Sequence, residues 1–259
     1  MTFTFRGSRL FAVSAVLSCA AGCGSELYSE RFEDNTVAYF RHSAEVAAAL
    51  GQEAVAPAAA FRPPTQFQLV RGKRNKEGED TRQPYFLRLP LPGLVNAWQA
   101  EVRINPIAAP EPAPGGNPAP PPLGLAHCFL LAEAAMKDSS LGPDARFDLL
   151  VVNRILGGLG LSALSSREVG DGLRRTPYGY GRFGRDLQYD VFRFDTDRVE
   201  RGTNTTVVIN ICRSRPKEAA VIFVYPTEIA RGELFNDRLP LSLASLKVTG
   251  DRSAAAPRL

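Results

Sequence analysis

The most restrictive stretch of this chain is Ala220-Val221-Ile222-Phe223-Val224-Tyr225, a run of β-branched and aromatic residues closed by Pro226. It is too short for a buried helix, and it has no polar alternation to turn toward water. A strand of this kind has to sit centrally in a sheet, with cover on both faces. Residues 187–195 and 203–212 precede it as strand-like runs, and Arg201-Gly202 and Arg215-Pro216 supply turn chemistry at hairpin spacing. In the middle run Val207, Ile209 and Ile211 share one face, while Val208, Asn210 and Cys212 share the other. Residues 187–225 are therefore expected to form an antiparallel meander ending in an interior strand.

Upstream, residues 94–104 alternate well, with Trp98, Ala100, Val102 and Ile104 on one side and Ala97, Gln99, Glu101 and Arg103 on the other. That pattern predicts a half-buried strand and places the one tryptophan in the core. Phe67-Gln68-Leu69-Val70 and residues 127–131 read as further strands, and the apolar run 147–153 as another. Asp34 is a candidate N-cap for a helix that ends at Gly51, with Val37, Phe40, Ala44, Ala47 and Ala48 at helical spacing. His42 lies on that helix without a second ligand four residues on, as expected of a polar-face histidine. Residues 227–249, interrupted by Pro240, predict one or two helices whose Leu241, Leu243, Leu246 and Val248 return to the sheet. The class expected is α+β: an antiparallel sheet, a meander in its C-terminal half, covered by an N-terminal and a C-terminal helix.

Residues 105–122 hold eight of the twenty prolines and interrupt this pattern. Such a segment neither pairs in a sheet nor continues a helix, so it is expected as a disordered Pro/Ala-rich excursion inside one domain. Residues 71–80, with four cations, three anions and no apolar residue, read as a solvated loop. The domain expected spans 34–250, with a loose tail over 251–259.

The N-terminus carries an address. Arg6 and Arg9 precede a short apolar run from Leu10 to Leu17, and small residues then lead to Cys23. That is the layout of an export signal, and its apolar core is too short to span a bilayer. Ala20-Ala21-Gly22-Cys23 resembles a bacterial lipobox, in which the cysteine is joined to diacylglycerol before the signal, residues 1–22, is removed. Cys19, preceded by Val16-Leu17-Ser18, is the rival site, with the bulky Leu17 two places before it. Residues 23–33 would then be a tether, and two or three acyl chains would hold it stably where one holds only marginally.

Charge and motif content narrow the function. The whole chain carries +4, of which Arg6 and Arg9 belong to the signal, so the mature chain carries +2, too little for a nucleic-acid surface. No HExxH, paired CxxC, acidic metal loop or GxSxG elbow occurs, and Gly157-Gly158-Leu159-Gly160 lacks the Lys-Ser/Thr of a P-loop and the spacing of a dinucleotide fingerprint, so it reads as a flexible loop or a helix stop. No metal or cofactor is expected. His127, Ser165, Ser166 and an Asp are the residue types of a hydrolase triad, but nearly any chain of this length contains them. Asn204-Thr205-Thr206 has sequon form and is assigned to its strand. Beyond Cys23, only Cys128 and Cys212 remain, as a candidate disulfide or as two buried thiols.

One segment invites a binding hypothesis. Residues 167–186 interleave Arg167, Arg174, Arg175, Arg182 and Arg185 with Tyr178, Tyr180 and Phe183, spaced by glycines. Guanidinium and aromatic groups on a flexible loop suit an anionic lipid, a polysaccharide or an acidic protein face. The alternative is a surface loop whose aromatics fold back on the sheet.

The order of lipobox, early helix, Phe61-Arg62-Pro63-Pro64, the 89–102 stretch LPLPGLVNAWQAEV, Pro/Ala-rich insert, meander and terminal LSLASLKV resembles a group of uncharacterised bacterial lipoproteins. A meander ending in a central apolar strand and a helix is similar to the α/β/α sandwich of PsbP-type proteins, a likeness that implies action by binding and assembly. The function expected is that of a lipid-anchored cell-envelope protein, periplasm-facing or at the cell surface. It would be non-catalytic, a binding or structural module partnered by the membrane and by an envelope protein or polysaccharide. A hydrolase with an unrecognised site, or a polysaccharide-binding module that exposes Trp98, Tyr178 and Tyr180, is the alternative.

Overall fold

The computed structural model describes residues 29, 31–56, 59–72, 90–105, 122–136, 146–179, 187–200, 203–214, 217–229 and 235–248. The chain divides into two compact units, residues 1–47 and 48–259. Residues 31–49 form a helix, α1, of which residues 31–47 belong to the first unit. The chain is helical before the expected Asp34 cap, so Glu33 and Asp34 stand in the first turns, where acidic groups complement the helix dipole. Thr36 Oγ1 donates back to the Phe32 carbonyl at 2.7 Å.

The second unit is α+β. Short strands β1 (Ala54–Val55), β2 (Ala59–Phe61) and β3 (Gln68–Leu69) are followed by β4 (Leu94–Arg103) and β5 (Leu123–Ala132). Helices α2 (Phe147–Gly158) and α3 (Ser166–Gly172) come next, then β6 (Arg174–Tyr178), β7 (Leu187–Glu200), β8 (Thr203–Ser214) and β9 (Lys217–Pro226). Helix α4 (Phe235–Ala244) and β10 (Lys247–Val248) close the described chain. Seven strands form one sheet in the order β3-β4-β5-β9-β8-β7-β6, with every neighbouring pair antiparallel. The apolar strand β9 is fourth of seven, and Val221, Ile222, Phe223 and Val224 are all buried.

Each face of β9 feeds a separate core, and both cores are built from the second unit. Ala219, Val221 and Phe223 pack with Trp98, Cys128, Leu130, Tyr189, α4 residue Leu243, Leu246 and the small sheet's Ala59 and Phe61. Ala220, Ile222 and Val224 pack with Phe129, Leu131, Val207, Ile209 and Ile211, beneath Phe147, Val151, Val152 and Ile155 of α2. Strands β1, β2 and β10 form a second, three-stranded sheet. Its neighbour α4 is clipped to it: Ser242 Oγ donates to the Arg62 carbonyl at 2.6 Å, and the Arg62 amide donates to Ser245 Oγ at 3.0 Å. Pro240 lies inside α4 without ending it.

The expected strand over 147–153 is a helix. Phe147, Val151, Ile155 and Leu159 recur at four-residue spacing and are buried, a stripe visible only when the window extends past the Val151-Val152 pair. The C-terminus of α2 is a Schellman arrangement: Gly160 has φ 69°, its amide reaches the Gly157 carbonyl at 3.0 Å, and the Leu161 amide reaches Leu156 at 2.8 Å. The Gly157–Gly160 run is therefore a helix stop. Trp98 is 3% exposed, in the core as its alternation predicts.

A second turn depends on glycine. Gly93 opens β4 at φ 65°, and its carbonyl accepts the Ala132 amide at 2.9 Å. A Cβ there would lie 2.3 Å from the Ala132 carbonyl oxygen, a backbone atom that cannot turn aside. Gly93→Ala is expected to destabilise the protein by about 2 kcal/mol or more, from backbone strain with added steric overlap. The check is the denaturant midpoint, with an unchanged m-value marking a native-state effect.

Candidate functional site

The most organised polar cluster among the described residues lies where α2 begins over β7, β8 and β9. Arg146 is the residue before α2, and Asp148 is the second residue within it. The Asp148 side chain is 2% exposed, yet it is fully engaged. It accepts from Arg146 Nε and Nη2, one edge of that guanidinium, from Arg213 Nη2 at 3.0 Å and from the Leu149 amide at 2.8 Å. Arg213, on β8, also donates to Asp190 of β7, and its Nη1 lies 3.7 Å from Glu218 of β9. Glu133 accepts the Glu218 amide at 3.0 Å. The cluster therefore ties α2 to three adjacent strands.

Burial works against the charge on Asp148, but the Arg146 and Leu149 hydrogen bonds and both guanidinium charges outweigh it and hold the carboxyl below its ordinary range. Glu218 moves the other way: burial raises it, and the Arg213 charge only partly compensates. A carboxylate held ionised by two arginines is a poor proton acceptor, so the cluster is suited to clamping rather than to general-base chemistry.

The hydrolase candidates have local duties. Ser165 caps α3, accepting the Glu168 amide while Glu168 accepts the Ser165 amide, a capping box. Ser166 accepts from Arg146. His127 is buried on β5 with its ring stacked on Phe129, centroids 6.1 Å apart. Asn153 joins α2 to the chain before α3 through two 2.8 Å bonds with the Leu164 backbone.

Cys128 and Cys212 are free and buried, so the candidate disulfide does not form. Register gives the reason: Cys128 pairs with Phe223 and Cys212 with Ala219, on opposite sides of β9 and four positions apart. At about 3.3 Å per residue and 4.8 Å per strand, that separation is far beyond a disulfide's reach. Burial raises both thiols, Cys212 to about 11 with a contribution from the Glu218 charge. Both are accordingly poor nucleophiles.

The arginine-aromatic segment is not a flexible loop where it is described. Arg167 lies on α3, and Arg174, Arg175 and Tyr178 lie on edge strand β6; Tyr180, Arg182, Phe183 and Arg185 fall outside the described residues, as do Cys19 and Cys23. Pairing with Val191 and Asp190 sends Arg174 and Arg175 to opposite faces. Arg174 Nη1 donates to the Asp171 carbonyl at 2.7 Å. Tyr178 packs edge-on to Tyr189 at 5.5 Å, and burial raises its hydroxyl. The aromatic thus folds onto the sheet.

At the other end of the sheet lies a groove of about 690 Å3, lined by Gln66, Gln68, Leu69, Val70, Gln99, Ala100, Glu101 and Leu125. Pairing Gln68 with Gln99 and Glu101 with Leu125 puts these four on one face. Amides, a carboxylate and aliphatic walls suit a neutral polyhydroxylated or peptide ligand. No local sequence signal marks this site, because its glutamines are ordinary strand residues until β3 is docked beside β4. Among the described residues, no group of three His, Cys, Asp or Glu is placed to hold a metal, and no helix is long and apolar enough to cross a membrane.

Asp148→Asn should cost about 2 kcal/mol at pH 7, because it leaves Arg146 and Arg213 facing a neutral group. The sign with pH follows from the depressed carboxyl: its stabilisation is present above the unfolded-state value near 3.9 and is lost as pH falls through the folded-state value. Denaturant melts at pH 7 and pH 3 should show a smaller gap between wild type and variant at pH 3.

No protein-family model and no curated protein matches the chain. Among solved structures, a crystal structure of a protein from Bacteroides thetaiotaomicron VPI-5482 is similar over 77% of this chain, with 12% identity and a TM-score of 0.35. The match spans about half of that chain, 48%, and a likeness this low supports no inference about fold or function.

Proposed function

We propose that this is a lipid-anchored protein of the bacterial cell envelope that works by binding or by structural support. The observation that carries the reading is the N-terminal layout: two arginines, a short apolar run, and Ala20-Ala21-Gly22-Cys23. Cys23 is the lipidation site, and the membrane is the first partner. The domain is a two-core sheet whose clustered charges are paired with one another around Asp148, which supports a binding or assembly role over a catalytic one.

A polysaccharide-binding role is the second reading, favoured by the groove of Gln68, Gln99 and Glu101. Its sugar platform is not Trp98, which is buried. If this reading holds, Gln99→Ala with Glu101→Ala should reduce retention on envelope polysaccharide at least tenfold with little change in the melting temperature.

The anchor is tested by detergent-phase partitioning of the wild type beside Cys23→Ala and Cys19→Ala, expressed in a bacterium with lipoprotein processing. Wild type and Cys19→Ala should enter the detergent phase and take up labelled palmitate, while Cys23→Ala stays aqueous. An aqueous wild type would refute the anchor and make a freely diffusing enzyme the better reading.

A further inference from the structure

Strand β4 has an open rung between two occupied ones. Its neighbour β3 pairs Gln68 with Gln99 and Leu69 with Trp98, and the Val70 amide donates to the Ala97 carbonyl at 2.9 Å. Ala97 and Gln99 therefore turn their backbone groups toward β3, and by the alternation of an antiparallel ladder Glu101 does the same. On the other edge, the Ile104 amide donates to the Pro122 carbonyl at 2.9 Å, in line with even-numbered residues facing β5. Among the described residues nothing pairs with the Glu101 amide and carbonyl on the β3 side.

The gap is closed at both ends. β3 stops at Gln68 because the chain turns aside: the Phe67 amide donates to the Pro64 carbonyl at 2.9 Å, and the Phe67 ring is buried against Phe223, with centroids 6.3 Å apart. Past the gap, Ile104 bridges Ile229, and the Asn105 amide donates to the Glu228 carbonyl at 2.8 Å. Asn105 has the parity of Glu101, so this neighbour stands in the lane that β3 has left. Five steps from Gln99 to Ile104, at about 3.3 Å each, put the two neighbours about 17 Å apart along β4. A passing strand would run into β3 at one end and the 228–229 backbone at the other, so the gap suits a compact group entering from the groove.

The groove of about 690 Å3 opens at this place, with Gln68, Gln99 and the exposed Glu101 around aliphatic Leu69 and Leu125. An open rung is completed by an amide, whose carbonyl takes the backbone N–H and whose own N–H needs an acceptor close by. On the polysaccharide-binding reading, on which this inference rests, the sugar that carries such a group is an N-acylated amino sugar. We propose that the groove selects N-acetylated sugar units. The acetamido carbonyl accepts from the Glu101 amide, the acetamido N–H donates to a glutamine side-chain oxygen, and ring hydroxyls donate to the Glu101 carbonyl and carboxylate. Leu69 and Leu125 supply aliphatic wall for the acetyl methyl. The same carboxylate repels a uronic acid, so the matching polymer is neutral where it is gripped.

The experiment titrates the full chain, by calorimetry, with β-linked tetramers of N-acetylglucosamine, glucosamine and glucose. The acetylated tetramer should bind about tenfold more tightly than the glucose tetramer, the difference expected when a hydrogen-bonding group loses its counterpart. Glu101→Gln keeps the backbone amide, so it should weaken both and leave their ratio unchanged. Glu101→Pro removes only the groove-facing N–H, since the neighbouring bonds to β5 belong to Ala100 and Val102, and should bring the ratio to about one. Equal affinity of the wild type for the acetylated and glucose tetramers overturns the inference, whether or not the proline variant folds, and leaves the polysaccharide reading standing. A folded Glu101→Pro that keeps the ratio does the same. Tightest binding of the glucosamine tetramer means that the Glu101 charge selects, and this too overturns it. If no tetramer binds, the inference falls, and the reading behind it falls as well only if the wild type is not retained on envelope polysaccharide.

Discussion

A strand that is apolar on both faces must be covered twice, and the second unit of this protein is arranged around meeting that requirement for β9. Its odd-numbered residues Ala219, Val221 and Phe223 belong to one core, and its even-numbered Ala220, Ile222 and Val224 to the other. Each large side chain buried in this way contributes roughly 1.5–3 kcal/mol, so the strand is a large part of what opposes chain entropy. Apolar burial has no direction, however, and does not by itself orient a covering layer. That orientation comes from polar pins, one set on each face. Asp148 and Arg213 join α2 to β8, and the Tyr189 hydroxyl donates to the Leu243 carbonyl at 2.6 Å, joining β7 to α4.

The strands were legible because period-two alternation is a local signal. Residues 94–104, 187–195, 203–212 and 219–225 were placed within a few positions of β4, β7, β8 and β9, and the interior position of β9 followed from Val221 to Val224 alone. Helix α2 was not, because Leu149-Leu150-Val151-Val152 satisfies either period over seven residues. The ion cluster was illegible for a different reason. Arg213 and Asp148 stand 65 residues apart, and only the docking of α2 over β8 makes them neighbours. Register likewise decided the cysteines, since composition counts two thiols but cannot say that β9 stands between them.

The distinction between loop and strand also alters what Arg174 and Arg175 can do. On a flexible loop both guanidinium groups could converge on one anion. On β6 the pleat sends them to opposite faces, so they cannot grip a single ligand together. Their position on an edge strand, with Pro177 beside them, fits another role. Long charged side chains and a residue without an amide proton discourage a foreign strand from pairing with the sheet.

The two ends of the seven-stranded sheet are therefore unequal. At the β6 end, Pro177 and the arginines oppose backbone pairing. At the β3 end, the edge strand is only two residues long, and the groove beside it offers Gln68, Gln99 and Glu101 around aliphatic Leu69 and Leu125. Side-chain amides can donate and accept without adding a strand, so a ligand held there need not extend the sheet. The sheet is thus closed to strand pairing at one end and open to side-chain hydrogen bonding at the other.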